Sequence, residues 1–336
     1  MNSKRSLLSM LRLACCLCAG LVALSSMSQN RRSLRVVSWN VENMFDTIDA
    51  QEFRDEEFQP SGERRWTGGR YWHKMADIAR VVASLSDADG VPDLIGLCEV
   101  ENDSVLETLT KRSALRTLGY EYVMTHSRDA RGINVALLYQ PVRFRLLQHN
   151  SIKVPAREGS SRTTRDILHV KGLVKTEAGI DTLHILVVHL PSKTGGRAGD
   201  QLRSLAARTL WNVVDSLNLA SGSSCVGKEN VPRIVVIGDF NATAKDRIFR
   251  RAPLRIVDDK EAPGTYCFRG FWQWIDHVLL SSSVDALSPA KPMALPWMLE
   301  ENKTYGVSMP RRTYRGAFYH GGVSDHLPVM VDLQLK

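Results

Sequence analysis

The sequence predicts one α/β domain of layered β-sheets flanked by helices. Short apolar segments rich in β-branched residues recur along most of the chain, and segments of helical character interrupt them at intervals. No repeat or linker-like stretch divides the sequence. With 43% hydrophobic residues among 336, the chain can fill a large core, so we expect a single globular domain over residues 31–336.

The N-terminal 28 residues have the anatomy of a secretory signal peptide. A short basic start precedes the apolar stretch Leu13–Leu24, and the small residues Ser26 and Ser28 suit a cleavage site after Ser28. An uncleaved anchor is the less favoured alternative, because the apolar run is short for a membrane span. We therefore expect export to the periplasm or the extracellular space, no stable membrane span, and a fold that begins near Arg31.

Charge and cysteine content bear on the charge of the substrate and on whether disulfides or a zinc site are expected. The formal charge is +8, and three of these positive charges lie in the N-terminal segment, which leaves +8 − 3 = +5 for the rest. This balance permits an anionic substrate without requiring one. Cys98, Cys225 and Cys267 remain after the leader and show no Cys-x-x-Cys spacing, so neither a disulfide framework nor a zinc ribbon is expected.

The first half of the domain is predicted to mix strands and helices. Apolar residues at helical spacing predict an amphipathic helix over Trp72–Ser86, and a second helix is expected over Ser104–Thr117. Apolar runs bounded by turn residues predict strands. In chain order these are Leu34–Trp39, Asp93–Cys98, Tyr120–Thr125, Ile133–Tyr139 and Phe144–His149.

The second half begins with the clearest hairpin of the sequence. Its strands are Asp166–Lys175 and Asp181–His189, joined by a turn at Glu177-Ala178-Gly179, and a helix is predicted over Gly199–Leu219. Ser288–Gly322 is rich in proline and has little apolar periodicity, so it is predicted to be a long loop, either functional or disordered. The remaining predicted strands are Ile234–Ile237, Trp274–Leu280 and Leu327–Leu335.

Polar side chains stand at the ends of these strands, where a sheet would bring them to one edge. Asp239 and Asn241 follow a buried strand two positions apart, so they share one face. Hydrolysis of a phosphate ester needs a hard cation, a group that handles water, and donors for the developing negative charge. An oxygen-rich donor set suits Mg²⁺ better than zinc. The candidate set is Asn40, Glu99, His189, Asp239, Asn241, Asp276, Asp325 and His326.

The segments that carry these residues occur in a characteristic order over residues 34–335. They read SWNVEN, LCEVEN, VVHLPSK, GDFN, IDHVLLS and SDHLPV. Together they resemble the ordered motifs of the endonuclease/exonuclease/phosphatase superfamily, which includes DNase I-like nucleases, neutral sphingomyelinases and inositol polyphosphate 5-phosphatases. The resemblance implies a four-layer α/β sandwich of two mixed β-sheets packed face to face with helices outside, and a metal-dependent phosphoesterase site at the sheet edges.

The resemblance also implies how metal and water would be handled. Glu99 would be the principal Mg²⁺ ligand, with Mn²⁺ as the alternative metal, and Asn40 would help through a direct or hydrogen-bonded contact. Asp325 would lie near the metal or in the hydrogen-bonding network of His326 and Asp276. Asp239 would position and deprotonate the attacking water, and Asn241 would donate to the phosphate.

Two histidines have implied roles at the phosphate. His326 would stabilise the pentacovalent phosphate, with Asp276 as its carboxylate partner. His189 would contact the phosphate or protonate the leaving oxygen. From the residues alone, Arg165 precedes a strand and could clamp a phosphate through two nitrogens, although a surface ion pair is an equal alternative.

Further polar residues near the motifs are weaker candidates for contacting an anionic substrate. Arg131 and Asn134 have the same status as Arg165. Lys193, Arg197 and Arg203 follow the His189 motif, although a solvated helix start is the default interpretation.

Nucleic acid is the favoured substrate, and we expect the protein to act as a monomer. The loop from Trp297 to His320 could grip a sugar-phosphate backbone and stack bases through Tyr305, Arg311, Arg312, Tyr314, Arg315 and Tyr319. A sphingomyelinase-like enzyme would instead need an exposed aromatic hairpin, for which Trp272 and Trp274 are the nearest candidates, although both are expected in the core. A phosphatase acting on an inositol or sugar phosphate is a third alternative. A non-catalytic binding protein is the remote one, because no expected residue is missing.

Overall fold

The computed structural model describes residues 33–156, 163–176, 179–221 and 231–335. Its α-helices are α1 (Gly68–Ser84), α2 (Asp103–Glu107) and α3 (Gly196–Ala220). Its strands are β1 (Leu34–Met44), β2 (Leu94–Val100), β3 (Glu121–Met124), β4 (Asn134–Tyr139), β5 (Phe144–Ile152), β6 (Ile167–Thr176), β7 (Gly179–His189), β8 (Arg233–Asp239), β9 (Arg255–Ile256), β10 (Tyr266–Phe268), β11 (Phe271–Gln273), β12 (Asp276–Leu280), β13 (Val284–Ala286), β14 (Lys291–Pro292), β15 (Leu299–Asn302), β16 (Val307–Pro310), β17 (Tyr314–Arg315), β18 (Phe318–Tyr319) and β19 (Val329–Leu335).

Most strands belong to two mixed sheets. The first is seven-stranded, in the order β13-β19-β1-β2-β4-β3, with β14 also paired to β19. The second is six-stranded, in the order β5-β6-β7-β8-β12-β9. One parallel pair lies in each sheet, β1 with β2 and β7 with β8, so each sheet brings two carboxyl ends of strands to the same edge.

The apolar residues form contact layers between and outside the sheets. Val235 and Ile237 on β8 point into the layer between the two sheets, and Ile234 and Val236 point to the outer layer under α3. This alternation explains why β8 is an unbroken apolar run. The outer face of the first sheet packs on α1. A Cβ on Gly96 would lie 2.5 Å from Ile237 Cδ1, so this glycine lets the sheets approach closely.

The expected single helix over Ser104–Thr117 is wrong. The chain instead forms α2, a π-helical turn over Thr108–Arg112 and a 3₁₀ turn over Ala114–Leu118. Ser113 Oγ donates to the carbonyl of Leu109, four residues earlier, and accepts from the amide of Leu115. Such hydroxyl bonds compete with the main-chain bonds of a regular helix.

The predicted loop Ser288–Gly322 carries secondary structure of its own. It contains β14 and the hairpins β15–β16 and β17–β18. Met298 and Tyr314 within it are buried in the outer core under the first sheet. These strands are only two to four residues long, so they are too short to give the sequence a visible apolar periodicity.

Several expectations fall outside the described residues. These are the signal peptide, Cys225, and Glu177 and Ala178 of the predicted turn. Among the helices that the structure describes, none has the length and apolar content needed to cross a membrane.

Candidate active site

The two parallel strand pairs and the start of β12 meet at one edge of the sandwich. Asn40 and Glu99 lie near the ends of β1 and β2. His189 and Asp239 end β7 and β8 and are paired in register, and Asp276 at the start of β12 is paired with the same Asp239. The fold therefore gathers residues that are far apart in the sequence.

Backbone strain is concentrated at this edge. Glu99 and Asn241 have positive φ angles of 65° and 49°, which non-glycine residues rarely adopt and which often mark functional sites. Gly238 has φ 142°, and a Cβ there would lie 1.9 Å from the carbonyl oxygen of Val188. Only glycine fits at this point in the turn that presents Asp239.

Asn40 connects the two central carboxylates. Its Nδ2 donates to Asp239 Oδ2 at 3.1 Å and lies 3.4 Å from Glu99 Oε1. Its Oδ1 accepts from the amide of Glu42 at 2.9 Å, and the amide of Asn43 donates to Glu99 Oε2 at 2.8 Å. The hydrogen bond from Asn40 to Glu99 is present, and whether Asn40 also contacts a metal ion directly stays a prediction.

Asp239 is a buried carboxylate whose charge is disfavoured. Burial and the neighbouring Asp276 raise the pKa of Asp239 to about 7. Its Oδ1 accepts from the amide of Asn241 at 2.8 Å, and the Asn241 side chain donates to Asp239 Oδ2 at 3.2 Å and to the carbonyl of Leu190 at 3.0 Å. Asp239 can thus exchange a proton near neutral pH, and Asn241 must exchange one of these bonds to reach a phosphate.

His326 is held as a cation by the carboxylates around it. Its Nδ1 lies 2.8 Å from Asp276 Oδ2, and its Nε2 lies 3.9 Å from Asp239 and 4.0 Å from Asp325. Burial alone lowers the pKa of His326, but Asp276, Asp239 and Asp325 together raise it well above its ordinary value. Thr265 donates to the same oxygen of Asp276 and fixes that carboxylate.

His189 is buried in the opposite electrostatic setting. Its Nε2 lies 3.5 Å from Asp239 Oδ2 and 3.8 Å from Glu99 Oε1. Burial and the nearby Arg165 lower the pKa of His189 well below its ordinary value, so the ring is neutral and these contacts are not ion pairs. Among the described residues, its Nδ1 is buried without a hydrogen-bond partner.

A buried ionic network lies beside the site and was not predicted. Lys74, 1% exposed, donates to the carbonyl of Glu42 and to Thr313 Oγ1. Glu42 Oε2 accepts from the amide of Thr313 at 2.7 Å, and Arg312 binds Asp325 and lies 3.7 Å from Glu42 Oε1. Burial raises the pKa of Glu42 to about 7 and lowers that of Lys74 to about 8.

The sequence held a signal for this network. Lys74 falls between Tyr71 and Ile78 at helical spacing, so it occupies the apolar face of α1. A lysine at such a position indicates a buried partner.

Two further polar residues anchor the site segments. Ser324 Oγ donates to the carbonyl of Asn40 at 2.6 Å and accepts from the amide of His326 at 3.0 Å, which ties the SDH motif to β1. His277 faces Asp258 with one ring nitrogen and the carbonyl of Ala242 with the other. Although it follows Asp276 directly, His277 is therefore an anchor for the segment after Asn241.

A cavity of about 1210 Å³ opens above Asn40, Glu99, His189, Asp239 and His326, which form its floor. Of the eight motif residues and Arg165, Asp276 alone is absent from its lining, because it lies behind His326. The weaker candidates Arg131 and Lys193 line the cavity, and Asn134, Arg197 and Arg203 do not. Lining residues are therefore accessible to a substrate, and Asp276 can act only through His326.

Arg165 lines the cavity but is engaged by the protein. Its guanidinium donates to the carbonyls of His189 and Leu190 at 3.2 and 2.9 Å and to Asp129 Oδ2 at 3.2 Å. It supports the end of β7 in this state, and its phosphate-clamping role stays a prediction. Asn134 is buried away from the cavity, where it binds the carbonyl of Glu101.

Three of the six residues predicted to grip nucleic acid in the Trp297–His320 loop have partners within the protein outside the cavity lining, and the grip itself stays a prediction. Tyr314 is 5% exposed and donates to the carbonyl of Arg64, Arg315 pairs with Glu300, and Arg311 donates to the carbonyl of His320. Arg312 is the member of the predicted set that lines the cavity. A basic and aromatic composition does not reveal that partners inside the protein occupy these side chains.

The donor set fits a divalent metal ion. Asp239, Asp276 and His326 offer ligand atoms that lie within 4.8 Å of one another. Because His326 Nδ1 and Asp276 are already bonded to each other, the carboxylates of Glu99 and Asp239 are the more accessible donors. Burial and the neighbouring Asp276 disfavour the charge of Asp239, and a divalent cation nearby would stabilise that charge.

A family model described as the Endonuclease/Exonuclease/phosphatase family matches residues 35–335. The chain belongs to the endonuclease/exonuclease/phosphatase family. Members of this family are metal-dependent phosphoesterases, so the protein is a hydrolase of phosphoester bonds. This confirms the resemblance seen in the ordered motifs.

Solved structures share the fold of this family member. The catalytic domain of human Nocturnin with bound sulfate is 19% identical, with a TM-score of 0.56 over 91% of this chain and 96% of that one. A Bacteroides thetaiotaomicron mannosyl-6-phosphatase is 19% identical, with a TM-score of 0.56 over 90% and 99%. TDP2 of D. rerio, in complex with a single-strand DNA product, is 14% identical, with a TM-score of 0.54 over 90% and 100%.

These likenesses confirm the predicted α/β architecture with two large mixed sheets of the DNase I-like type. A comparison with curated proteins gives no match.

Proposed function

We propose that the protein is an exported, Mg²⁺-dependent enzyme that cleaves a phosphodiester by in-line attack of water on phosphorus. The observation that supports this most strongly is the convergence of Glu99, Asp239 and His326 on one cavity floor, with Asn40 between the two carboxylates. This arrangement combines metal-binding oxygens, a carboxylate of near-neutral pKa and a cation within reach of one phosphate group.

Glu99 would hold the metal ion, with Asp325 at the side of the site. Bound there, Mg²⁺ supplies positive charge that neutralises the phosphate oxygens. The Asn40 side chain and the amide of Asn43 keep the Glu99 carboxylate in a fixed orientation.

Asp239 accepts the proton of the attacking water. Burial and Asp276 raise the pKa of Asp239, which makes this carboxylate a stronger base than an ordinary aspartate. The His326 imidazolium donates from Nε2 to a phosphate oxygen and stabilises the charge that develops there, while Asp276 accepts from Nδ1 and fixes the ring. Neutral His189 contributes a hydrogen bond to the phosphate or to the leaving oxygen.

Nucleic acid is the proposed substrate. Its support now comes from the cavity mouth, where Arg54, Arg131 and Lys193 are exposed and the ring of Phe268 is 49% exposed. Cationic groups that track a phosphate backbone, together with an aromatic face for a base, are typical of single-stranded nucleic acid binding.

A phospholipid is the second candidate substrate because of the hairpin β10–β11. Phe268 and Phe271 on this hairpin are 49% and 74% exposed beside the cavity. Trp272 and Trp274 are half-buried and pack against the core, so the phenylalanines are the residues that could contact a lipid surface.

A substrate panel with Mg²⁺ or EDTA tests the proposal. It would contain plasmid DNA, RNA, sphingomyelin vesicles and inositol and sugar phosphates, with Glu99→Gln and His326→Ala beside the wild type. The exposed Glu52→Gln is a matched control for loss of a carboxylate. We expect Mg²⁺-dependent cleavage of nucleic acid that both site variants lose and the control keeps. Cleavage that survives EDTA or both site changes would refute the mechanism, and cleavage of sphingomyelin alone would transfer the proposal to phospholipids.

Export is tested on the full-length chain. We expect a secreted product whose N-terminal sequence begins at Gln29, after cleavage behind Ser28. A product that keeps Met1 and stays inside the cell would contradict export without affecting the chemistry.

A further inference from the structure

We propose that one wall of the cavity is a second anion-binding subsite that takes a second phosphate group of the substrate. The wall consists of Arg54, Arg131, Thr164 and Lys193, and we call it the cationic wall. The inference rests on the proposed phosphoesterase function, because it concerns what the substrate carries beyond the phosphate that is cleaved.

The cationic wall has an excess of positive charge. Arg54, Arg131 and Lys193 are exposed at the cavity, with Arg165 buried behind them and Asp129 as the neighbouring carboxylate, which gives 4 − 1 = +3. Asp129 is already shared, since it lies 3.2 Å from Arg165 Nη1 and 3.7 Å from Arg131 Nε. Within the described ranges, no carboxylate pairs with Arg54 or Lys193.

Thr164 provides an independent indication of a ligand. Thr164 is 4% exposed and lines the cavity, and its Oγ1 has no hydrogen-bond partner in the part of the chain that the structure describes. A buried hydroxyl without a partner costs about 1–3 kcal/mol, which an anionic oxygen in the cavity would remove. Hydroxyls of Ser192 and Thr194 line the cavity nearby.

Hydrogen bonds connect the cationic wall to the catalytic residues on the cavity floor. Arg165 donates both to the carbonyl of His189 and to Asp129, and Asp129 Oδ1 accepts from the amide of Arg131 at 3.1 Å. The amide of Arg54 donates to the carbonyl of Ala130 at 2.8 Å. The second phosphate would therefore lie beyond His189, on the side of the floor away from His326.

The opposite wall does not offer an equivalent subsite. Arg312 is its cation, and it is bound to Asp325 with Glu42 nearby, so its charge is already compensated. This asymmetry predicts that the substrate extends in one direction from the cleaved phosphate. The cavity volume of about 1210 Å³ exceeds the roughly 300–1,000 Å³ typical of small-ligand pockets and leaves room for that extension.

Two kinds of substrate carry a second phosphate at short range. One is a nucleic-acid strand, whose next phosphate follows the cleaved one. The other is a small molecule with two phosphate groups. Both kinds of substrate would place a second phosphate group, either a dianion or a diester, on the cationic wall. The experiment distinguishes the two kinds.

The test compares substrates with and without the second phosphate. The nucleic-acid arm uses the dinucleotides pTpT and TpT, and the small-molecule arm uses a sugar bisphosphate and the matching monophosphate. The variants are Arg54→Gln/Arg131→Gln, Lys193→Gln and Thr164→Val, with the exposed Arg251→Gln as a charge-matched control outside the cavity. Thermal unfolding confirms that each variant is folded.

In one of the two arms, we expect kcat/KM of the wild type to be at least tenfold higher for the substrate with two phosphates than for the matching substrate with one. The double arginine variant should raise KM for that substrate about tenfold, and Thr164→Val by a smaller factor. In both variants the loss should be at least fivefold larger for the substrate with two phosphates than for bis(p-nitrophenyl) phosphate, and Arg251→Gln should stay within twofold of the wild type for every substrate. The arm that shows the preference identifies the source of the second phosphate.

The inference is wrong if the wild type shows no preference in either arm, or if the variants lose the small ester equally. Failure to hydrolyse any ester would instead overturn the proposed function. In that case, equilibrium binding of pTpT and TpT to the wild type and the double variant still decides the inference. Equal affinities would reject it.

Discussion

His189 and His326 are both buried on the floor of the same cavity, yet the His189 ring is neutral and the His326 ring is positively charged. His326 has Asp276 at 2.8 Å and further carboxylates around it, which together raise its pKa despite burial. His189 has Arg165 behind it, and burial and that positive charge lower its pKa. Burial alone thus does not fix the charge of a histidine, because a charged partner can reverse its effect.

The difference assigns distinct tasks to the two sides of the floor. Asp239 lies between the rings, 3.5 Å from His189 Nε2 and 3.9 Å from His326 Nε2. The side with His326 can stabilise negative charge, and the side with His189 can donate a neutral hydrogen bond.

Asp239→Asn should have the largest effect. The change removes the group that accepts the proton of water but keeps its shape, so we expect kcat to fall about 10²- to 10⁴-fold. Circular dichroism and substrate affinity should stay close to those of the wild type. Turnover within tenfold of the wild type would take the water-activating role away from Asp239.

Asp276→Asn should come next, because it removes the carboxylate that sustains the charge of His326. The pKa of His326 should then fall, and the ring should lose its proton at a lower pH than in the wild type. We expect the alkaline limb of the pH profile of kcat to move to lower pH and kcat at neutral pH to fall about 10²-fold. NMR titration of the His326 ring checks the cause, and an unchanged titration would contradict it.

His189→Gln should have a smaller effect. Because His189 is already neutral, an amide that can donate a hydrogen bond replaces part of its function. We expect about a tenfold loss of kcat, the size of one neutral hydrogen bond of roughly 1.4 kcal/mol in the transition state. The shape of the pH profile between pH 5 and 8 should not change, and a lost limb would show that His189 titrates in catalysis.

A further pair of histidine rings, half-buried and outside the site, should affect the free energy of unfolding and not the activity. His169 and His184 lie 2.9 Å apart, and burial, His169 and Lys171 lower the pKa of His184 to about 4. The unfolded chain binds its proton near pH 6.5, so the free energy of unfolding should fall as the pH drops from about 6.5 towards 4. His184→Gln should flatten this dependence in denaturant titrations, and an identical slope would contradict the assignment.

The motif residues were predictable because each ends an apolar strand, and the pairing of parallel strands brings such ends together. The residues that depend on packing were not: Glu42 reaches Thr313 across 271 positions, and only the fold shows that contact. The partners of Arg311 and Arg315 were not predictable for the same reason, since the sequence does not show that a backbone carbonyl and Glu300 bind them. Lys74 is the exception, because its position on an amphipathic helix was visible in the sequence.

The central claim is that Asp239 directs water at phosphorus, and hydrolysis in water labelled with oxygen-18 tests it most directly. A diester substrate is cleaved with Mg²⁺ present, and both products are analysed by mass spectrometry. The account predicts that the label enters the phosphate product and that Asp239→Asn nearly abolishes this incorporation. Label in the alcohol product, or undiminished incorporation by the variant, would contradict it.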